Sequence, residues 1–534
     1  MLAIVLNTVL TTTAARVMHY DISVFLKPEQ QQMTVDSVVL VPSGTLSSPE
    51  MPISLGEQMG VPELLLNGEP VEPTRTEEAE GVMGNKVVRY IKVDPKVDNR
   101  ITARYTTVKA TGFVYMIAKG GSFASGSNTD WYPSTGGRVV SSTITVSVPK
   151  GEVVKATGRL VKTEETDSRT VYTFDSPAAA TLSFVAGPYK VYRDDSGKLP
   201  VALYLFKERP FTEKAVQMLR DVADELEEWF GPYPFSEMAI VEVDPIADTV
   251  AGFGGAALEG FLLAVPNFID GDGAGPNLAF IGHELGHSWW GHQVKQAGET
   301  GKYMVTEAMA QFGSLKAVEA IDGPALAVRY RKTGYPGYIP EQSGRGALQT
   351  MRGGYDPPLA RLTGRQAHGF SDGKGFQIYH QLEQVIGTEK LKNAFHQLQK
   401  EYAWQRINSE KMFELIGESA GVDLAWFYDQ WFERPGAPRW DVGWHQEGNT
   451  LVVDIDQQGE QPYRFVTELE AVFTDGTKKR WPVDMRQDHL ALKFPVAKKV
   501  ESVWFDPDWD VFHWDPDLVD LRDDGVKEAS LTGT

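Results

Sequence analysis

The amino-acid sequence predicts a multidomain α+β protein, because its hydrophobic period changes twice along the chain, from two to near 3.6 and back to two. From about Val17 to Arg193 the segments His19-Tyr-Asp-Ile-Ser-Val-Phe25, Val87-Val-Arg-Tyr-Ile-Lys-Val93 and Ser142-Thr-Ile-Thr-Val-Ser-Val148 alternate or enrich β-branched residues. Between about Pro210 and Arg434 helices dominate: Ala215, Met218, Leu219, Val222, Ala223, Leu226, Trp229 and Phe230 share one face of a helix that Gly231 ends. Ser409–Gly421 and Leu424–Phe432 continue this reading until Pro435-Gly-Ala-Pro438, which cannot be helical, sets a boundary. Beyond it Leu451/Val453/Ile455, Phe465/Thr467/Leu469/Ala471/Phe473 and Trp481/Val483/Met485 return to period two, with Asp475-Gly476 as a hairpin turn.

The 534 residues exceed what a single core accommodates. They divide into an N-terminal β domain over 17–195, a helical domain over 196–436 and a small antiparallel β domain over 437–515. Residues 516–534 are acidic and poor in aromatics, and read as a disordered tail. Residues 1–16 form a leader-like segment, apolar over Met1–Leu10 and followed by small residues at Thr13-Ala14-Ala15. They lack a basic start and read equally as a first strand, so cytoplasm and bacterial envelope both stay open. Elsewhere no apolar run reaches membrane-spanning length.

A formal charge of −20 argues against nucleic acid or an anionic membrane surface as partner. With no cysteine, thiol catalysis and thiolate metal sites are excluded, and a transition-metal site must use His, Asp or Glu. His283-Glu284-Leu285-Gly286-His287 is such a site in outline. Histidines at i and i+4 lie one turn apart on the same helix face, so both imidazoles reach one ion, and the Glu beside the first points at a metal-held water. A third protein ligand leaves one position open. Glu307, 20 residues after His287 at the start of a second helix, and Glu299, in the intervening turn, both remain available.

In order along the chain, Gly231-Pro-Tyr-Pro-Phe235, Ala256-Ala-Leu-Glu-Gly260, His283–Gly291, Thr306-Glu307-Ala308 and Phe427–Pro438 resemble motifs of the gluzincin metallopeptidases, specifically the aminopeptidase N-type family, over roughly residues 17–515. That resemblance implies an N-terminal β saddle, a thermolysin-like catalytic domain and a C-terminal β-sandwich. It implies one zinc per chain on His283, His287 and Glu307, with Glu284 as general base. It also implies a substrate-binding strand at Ala256 and Ala257, with Glu259 holding the free α-amine of a peptide N-terminus.

Four departures accompany the resemblance. The gap from His287 to Glu307 is one residue longer than usual in the family, though it equals that of thermolysin-like gluzincins. The glutamate expected seven residues after the third ligand is Ser314, and Ser122 and Ala124 stand where the family has an amine-binding Gln or Glu upstream of Trp131-Tyr132-Pro133. The oxyanion-stabilising Tyr of Y-x-K-G is replaced in Asp372-Gly-Lys-Gly375, leaving Tyr355 and His368 as nearby donors. The expected function is zinc-dependent release of N-terminal residues; the rivals are a narrow-specificity zinc endopeptidase and a scaffold that has lost turnover.

Overall fold

The computed structural model describes residues 17–520 apart from 82–83, 109–110, 113–114, 127–128, 137–138, 244–254, 272–274 and 460. The leader-like segment 1–16 and the tail beyond 520 lie outside the described residues. Pro516–Asp520, at the head of the stretch expected to be disordered, instead forms a short helix in which Leu518 and Val519 are buried. Two apolar side chains there find a surface to cover, which the acidic composition conceals.

The described residues form two compact units, the first within 17–191, 204–208 and 241–266 and the second comprising the rest of those described. In the first, His19–Lys27 and Gln32–Val41 pair antiparallel at the centre of an eight-stranded sheet. Their alternation puts Tyr20, Ile22, Val24 and Leu26 with Met33, Val35, Val39 and Val41 in one buried layer. One pairing of this otherwise antiparallel sheet is parallel, that of His19–Lys27 with Val140–Pro149. The two strands are far apart in sequence, so a long connection can return the chain in the same direction. Trp131 is fully buried and donates its indole N–H to the Leu182 carbonyl at 2.7 Å. Gly255–Leu258 and Phe261–Ala264 make a tight antiparallel hairpin with Glu259 and Gly260 at its turn, where Gly260 adopts φ of 95°.

Three helices organise the second unit: α1 (Thr212–Phe230), α2 (Leu278–Gly286) and α3 (Glu307–Ile321). The predicted face of α1 is buried apart from Met218, which is partly covered. Trp229 and Phe230 carry α1 onto aromatic partners, with Trp229 edge-on to Phe312 of α3 at 5.2 Å and Phe230 edge-on to Trp290 at 5.6 Å. Asn277 caps α2 by accepting the Phe280 N–H at 3.1 Å. Within α2 every residue but Glu284 is buried, as befits a helix enclosed on all sides. The helix ends at Gly286, with His287 as the C-cap.

Helices α2 and α3 touch backbone to backbone. A Cβ on Gly282 would lie 2.9 Å from Ser314 Cα, and one on Gly286 3.0 Å from Ala310 Cα. A single rod then spans Ala367–Ile386: α4 (Ala367–Phe370), a π-helical turn (Ser371–Gly375) and α5 (Phe376–Ile386). Gly375 lets the rod approach α3, since a Cβ there would meet Ala308 Cβ at 2.8 Å. Behind the site, Lys316 of α3 pairs with Glu383 at 2.6 Å, and His380 with Asp510 at 2.9 Å. Arg331 reaches the same Asp510 at 3.1 Å, so these contacts tie α3 and α5 to the C-terminal segment.

The strands after Pro438 form two three-stranded antiparallel sheets, with Asp475-Gly476 turning between Phe465–Phe473 and Lys478–Met485 as expected. Trp440 from one sheet packs on Phe465 and Phe505 of the other at 5.3 and 5.1 Å. Among the described residues no helix is long and apolar enough to cross a membrane.

The close α2–α3 approach generates a stability prediction. Gly282→Val should lower unfolding free energy by about 1–3 kcal/mol through overpacking. Urea titration of the variant checks this, and an unchanged midpoint would show that the two helices have room to separate.

Candidate active site

The end of α2, the start of α3 and the α4–π–α5 rod converge on one small volume. His283 donates from Nδ1 to the Gln311 side-chain oxygen at 2.6 Å, and His287 from Nδ1 to the Trp290 carbonyl at 3.1 Å. Those bonds fix the tautomer that leaves both Nε2 lone pairs free. The two Nε2 atoms face each other at 3.2 Å, and Glu307 Oε2 lies 3.4 Å from His287 Nε2 and 3.7 Å from His283 Nε2. A tetrahedral ion with bonds of about 2.0–2.1 Å requires ligand–ligand edges of about 3.3–3.4 Å. The triangle therefore has the dimensions of a zinc site, with the Glu307 carboxylate at its third corner. Glu299 does not compete, because its exposed carboxylate is engaged by Lys302 at 2.7 Å.

Electrostatics describe a site built around a cation. Burial pushes the His283 imidazolium down to about 3, with the neighbouring His287 adding to the effect. Burial also acts against a charged His287, yet the Glu307 carboxylate outweighs it and raises that imidazole to about 9. Glu307 itself is held well below the usual carboxylate range: burial opposes ionisation, while His287 and His368 more than compensate. Without metal, a proton is shared where the ion belongs, so metal uptake releases protons and strengthens as pH rises toward about 9. Burial raises Glu284 to about 7, the direction expected of a proton acceptor in a closed cleft.

The donors considered for the missing tyrosine separate here. Tyr355 gives its hydroxyl to the Thr363 carbonyl at 2.7 Å and sets its ring against Phe370. His368 Nε2 instead lies 3.2 Å from Glu307 Oε2 and 3.1 Å from Asp372 Oδ2, and the ring is half-exposed. Asp372, at the position of the family's tyrosine, is fully buried and accepts from Gln342 Nε2 at 2.8 Å. Ser314, at the position of the expected second glutamate, donates to the Ala279 carbonyl at 2.7 Å and so ties α3 to α2. The group that orients His283 is Gln311, which sequence reading missed although it lies one turn after Glu307 on α3.

Glu259 is fully buried at its hairpin turn, in the first compact unit. Its two oxygens accept the Ala180 N–H at 2.8 Å and the Thr181 N–H at 3.1 Å. Ala256 and Ala257 on the preceding strand are partly exposed.

No family model matches the chain. It is similar to a probable aminopeptidase 1 of Sulfurisphaera tokodaii, 22% identical over 325 residues, and to a leucyl aminopeptidase of Saccharolobus solfataricus, 24% identical over 314 residues. Each match covers 55% of this chain and 38% of the relative, so it spans well under half the length of these curated proteins. Among solved structures, Legionella pneumophila aminopeptidase A in complex with aspartic acid aligns over 93% of this chain and 59% of its own, with a TM-score of 0.66 and 15% identity. A mutant M1 zinc metallopeptidase from Deinococcus radiodurans aligns over 78% of this chain and 95% of its own, with a TM-score of 0.56 and 17% identity. The same Deinococcus mutant has also been solved with a Tyr-Ser-Ala substrate, at the same TM-score and identity. These likenesses show that the chain shares the multidomain α+β fold of those solved structures.

The Gln311 contact predicts a measurable effect on metal affinity. Gln311→Leu removes the acceptor that orients His283, and such losses weaken binding by about 10–100-fold. Competition with a zinc chelator dye reads this directly; an unchanged affinity would assign Gln311 to packing alone.

Proposed function

We propose that this protein is a zinc-dependent aminopeptidase, hydrolysing the first peptide bond of a substrate held at its N-terminus. The observation that carries the reading is the 3.2, 3.4 and 3.7 Å triangle of His283, His287 and Glu307, with Glu284 on the same helix turn. Bound there, zinc would polarise the scissile carbonyl and bring a coordinated water's pKa to about 7. Glu284 takes the proton of the attacking water and passes it to the leaving amine, a role suited to a carboxylate whose burial keeps its pKa near neutrality. His368, positioned by Asp372 and half-exposed, is the group we assign to stabilising the carbonyl oxygen as negative charge develops. The proposed domain plan is a β saddle over 17–195, a thermolysin-like domain over 196–436 and a β-sandwich over 437–515.

Glu259 is the proposed anchor of the substrate's α-ammonium, with Ala256 and Ala257 lining the peptide. Two backbone N–H donors fix the carboxylate at the hairpin turn, and a buried carboxylate favours an ammonium as its charged partner. One observation favours an endopeptidase instead: Ser122, where a second amine-binding group is expected, donates its hydroxyl to the Ala118 carbonyl at 3.3 Å within its own hairpin. An amine held by one carboxylate is less firmly registered than one held by two groups.

Two experiments test these roles. Glu284→Gln should retain zinc and lose about 10²–10⁴-fold in turnover, whereas Glu307→Ala should lose the metal. Near-normal hydrolysis by the first variant would rule out the general-base assignment. For the amine anchor, Glu259→Gln keeps an acceptor but removes the charge. Loss of a charged hydrogen bond worth about 1.5–3 kcal/mol should raise KM for unblocked aminoacyl-arylamides by about 10–100-fold. Equal rates on N-blocked and unblocked peptides in the unmodified enzyme would favour the endopeptidase.

A further inference from the structure

We infer that Gln342 is a positioning residue: through the buried Asp372 it sets where the His368 ring stands beside Glu307. The inference rests on the role proposed above for His368, the group assigned to the substrate's carbonyl oxygen. His368 Nε2 lies 3.1 Å from Asp372 Oδ2 and 3.2 Å from Glu307 Oε2, so two carboxylates compete for one nitrogen. Between two carboxylates the ring is favoured as a cation, with a proton on each nitrogen, and Nδ1 is the atom left for a substrate oxygen. Gln342 Nε2 donates to the same Asp372 oxygen at 2.8 Å. Oδ2 therefore divides its lone pairs between two donors, and its hold on His368 is the weaker for it. Without the amide, Oδ2 belongs to the imidazole alone and draws the ring toward Asp372, away from Glu307.

The amide of Gln342 is committed to this contact. Its side chain is almost wholly buried, and its Oε1 has no hydrogen-bond partner. Turning the amide over would set that oxygen against the Asp372 carboxylate, so Asp372 dictates which way it faces. An unmatched buried carbonyl is costly, and the orientation is kept for what Nε2 touches.

The backbone that carries Gln342 is fixed at both ends. Its N–H donates to the Ile339 carbonyl at 3.0 Å, and Ser343 Oγ to the Pro340 carbonyl at 2.7 Å. A Cβ on Gly373, the residue after Asp372, would lie 2.9 Å from the Ser343 carbonyl oxygen, so this segment and the π-helical turn touch backbone to backbone. Earlier in the same segment the Pro336 carbonyl accepts from Asn277 Nδ2 at 2.9 Å, and Asn277 Oδ1 is the cap of α2. One bracket thus joins the start of the helix that bears His283 and His287 to the rod that bears His368. His368 itself is 58% exposed, and Asp372 and Glu307 are the polar groups that hold its ring.

A double-mutant cycle on aminoacyl-arylamides tests the inference. Gln342→Leu should lower kcat by about 10–100-fold and leave KM nearly unchanged, because a displaced donor is felt only as charge develops on the oxygen. In the His368→Ala background the same change should have almost no further effect. Zinc affinity, read with a chelator dye, should stay constant. In side-chain ¹⁵N–¹H spectra of the metal-free protein the His368 signals should move while those of His283 and His287 stay. Gln342→Glu, equal in size, removes the same donor and should reproduce these effects if leucine prevents folding. A loss of equal size in both backgrounds, or a fall in zinc affinity, overturns the inference, since Gln342 then acts on the fold or on the metal. His368 signals that do not move overturn it whatever the kinetics. A His368→Ala variant as fast as wild type overturns the oxyanion role and this inference with it, and that failure is visible before Gln342 is touched.

Discussion

The spacing of α2 and α3 is the constraint on which the rest of this site depends. Imidazole and carboxylate side chains have fixed reach, so three ligand atoms from two helices can meet within 3.7 Å only if the helix axes are close. Packed helices ordinarily lie about 8–10 Å apart, the distance depending on the residues at the contact. Here Gly282 and Gly286 face Ser314 and Ala310 with no side chain between them, placing the pair at the close end of that range. The Ser314 hydroxyl then joins the helices where a larger group would wedge them apart. The same residue explains why the expected second glutamate is dispensable: with Gln311 already holding His283, that face of α3 is free to serve packing.

A cage of this kind is unfavourable until filled. Two nitrogen lone pairs face each other, next to a carboxylate, in a volume largely closed to water. The surrounding structure has to hold the groups together against their repulsion. Aromatic packing of Trp229, Phe230 and Trp290 supplies one support. The chain of polar contacts from Lys316 through Glu383, His380 and Asp510 to Arg331 supplies another. Breaking such a chain at one member leaves an unpaired buried charge, so its stiffness comes with sensitivity to substitution.

Sequence patterns reach some of this organisation and miss the rest for identifiable reasons. The α1 face, the alternating strands after Pro438 and the His283/His287 pair follow from periodicity, because each is set by local geometry and burial. Glu307 is one of two carboxylates the sequence leaves in reach, and they are separated only by the fold, which sets Glu307 beside both imidazoles and pairs Glu299 with Lys302 in the turn. Gln311 was overlooked because a buried amide on a helix looks like packing until its partner, 28 residues away, is known. The parallel pairing of His19–Lys27 with Val140–Pro149 has no local signature, since either direction buries the same alternating face. In the sequence Asp372 marks only the absence of a hydroxyl, because the contact of His368 with both Asp372 and Glu307 is made by the fold.

The π-helical turn in the rod from Ala367 to Ile386 also divides labour along one helix. Inserting one residue shifts everything after it by about 100° around the axis relative to an uninterrupted α-helix. Before the turn the rod presents His368 to the Glu307 carboxylate. After it, α5 is buried on nearly every side, and Gln381 exchanges hydrogen bonds with the backbone of Val466 at 2.9 and 3.0 Å. The turn therefore acts as a phase shifter, letting one rigid element satisfy two orientations that a regular helix could not reconcile. A family that drifts in sequence can alter the chemistry ahead of the shift while the docking behind it stays in register, and losing the extra residue would uncouple both at once.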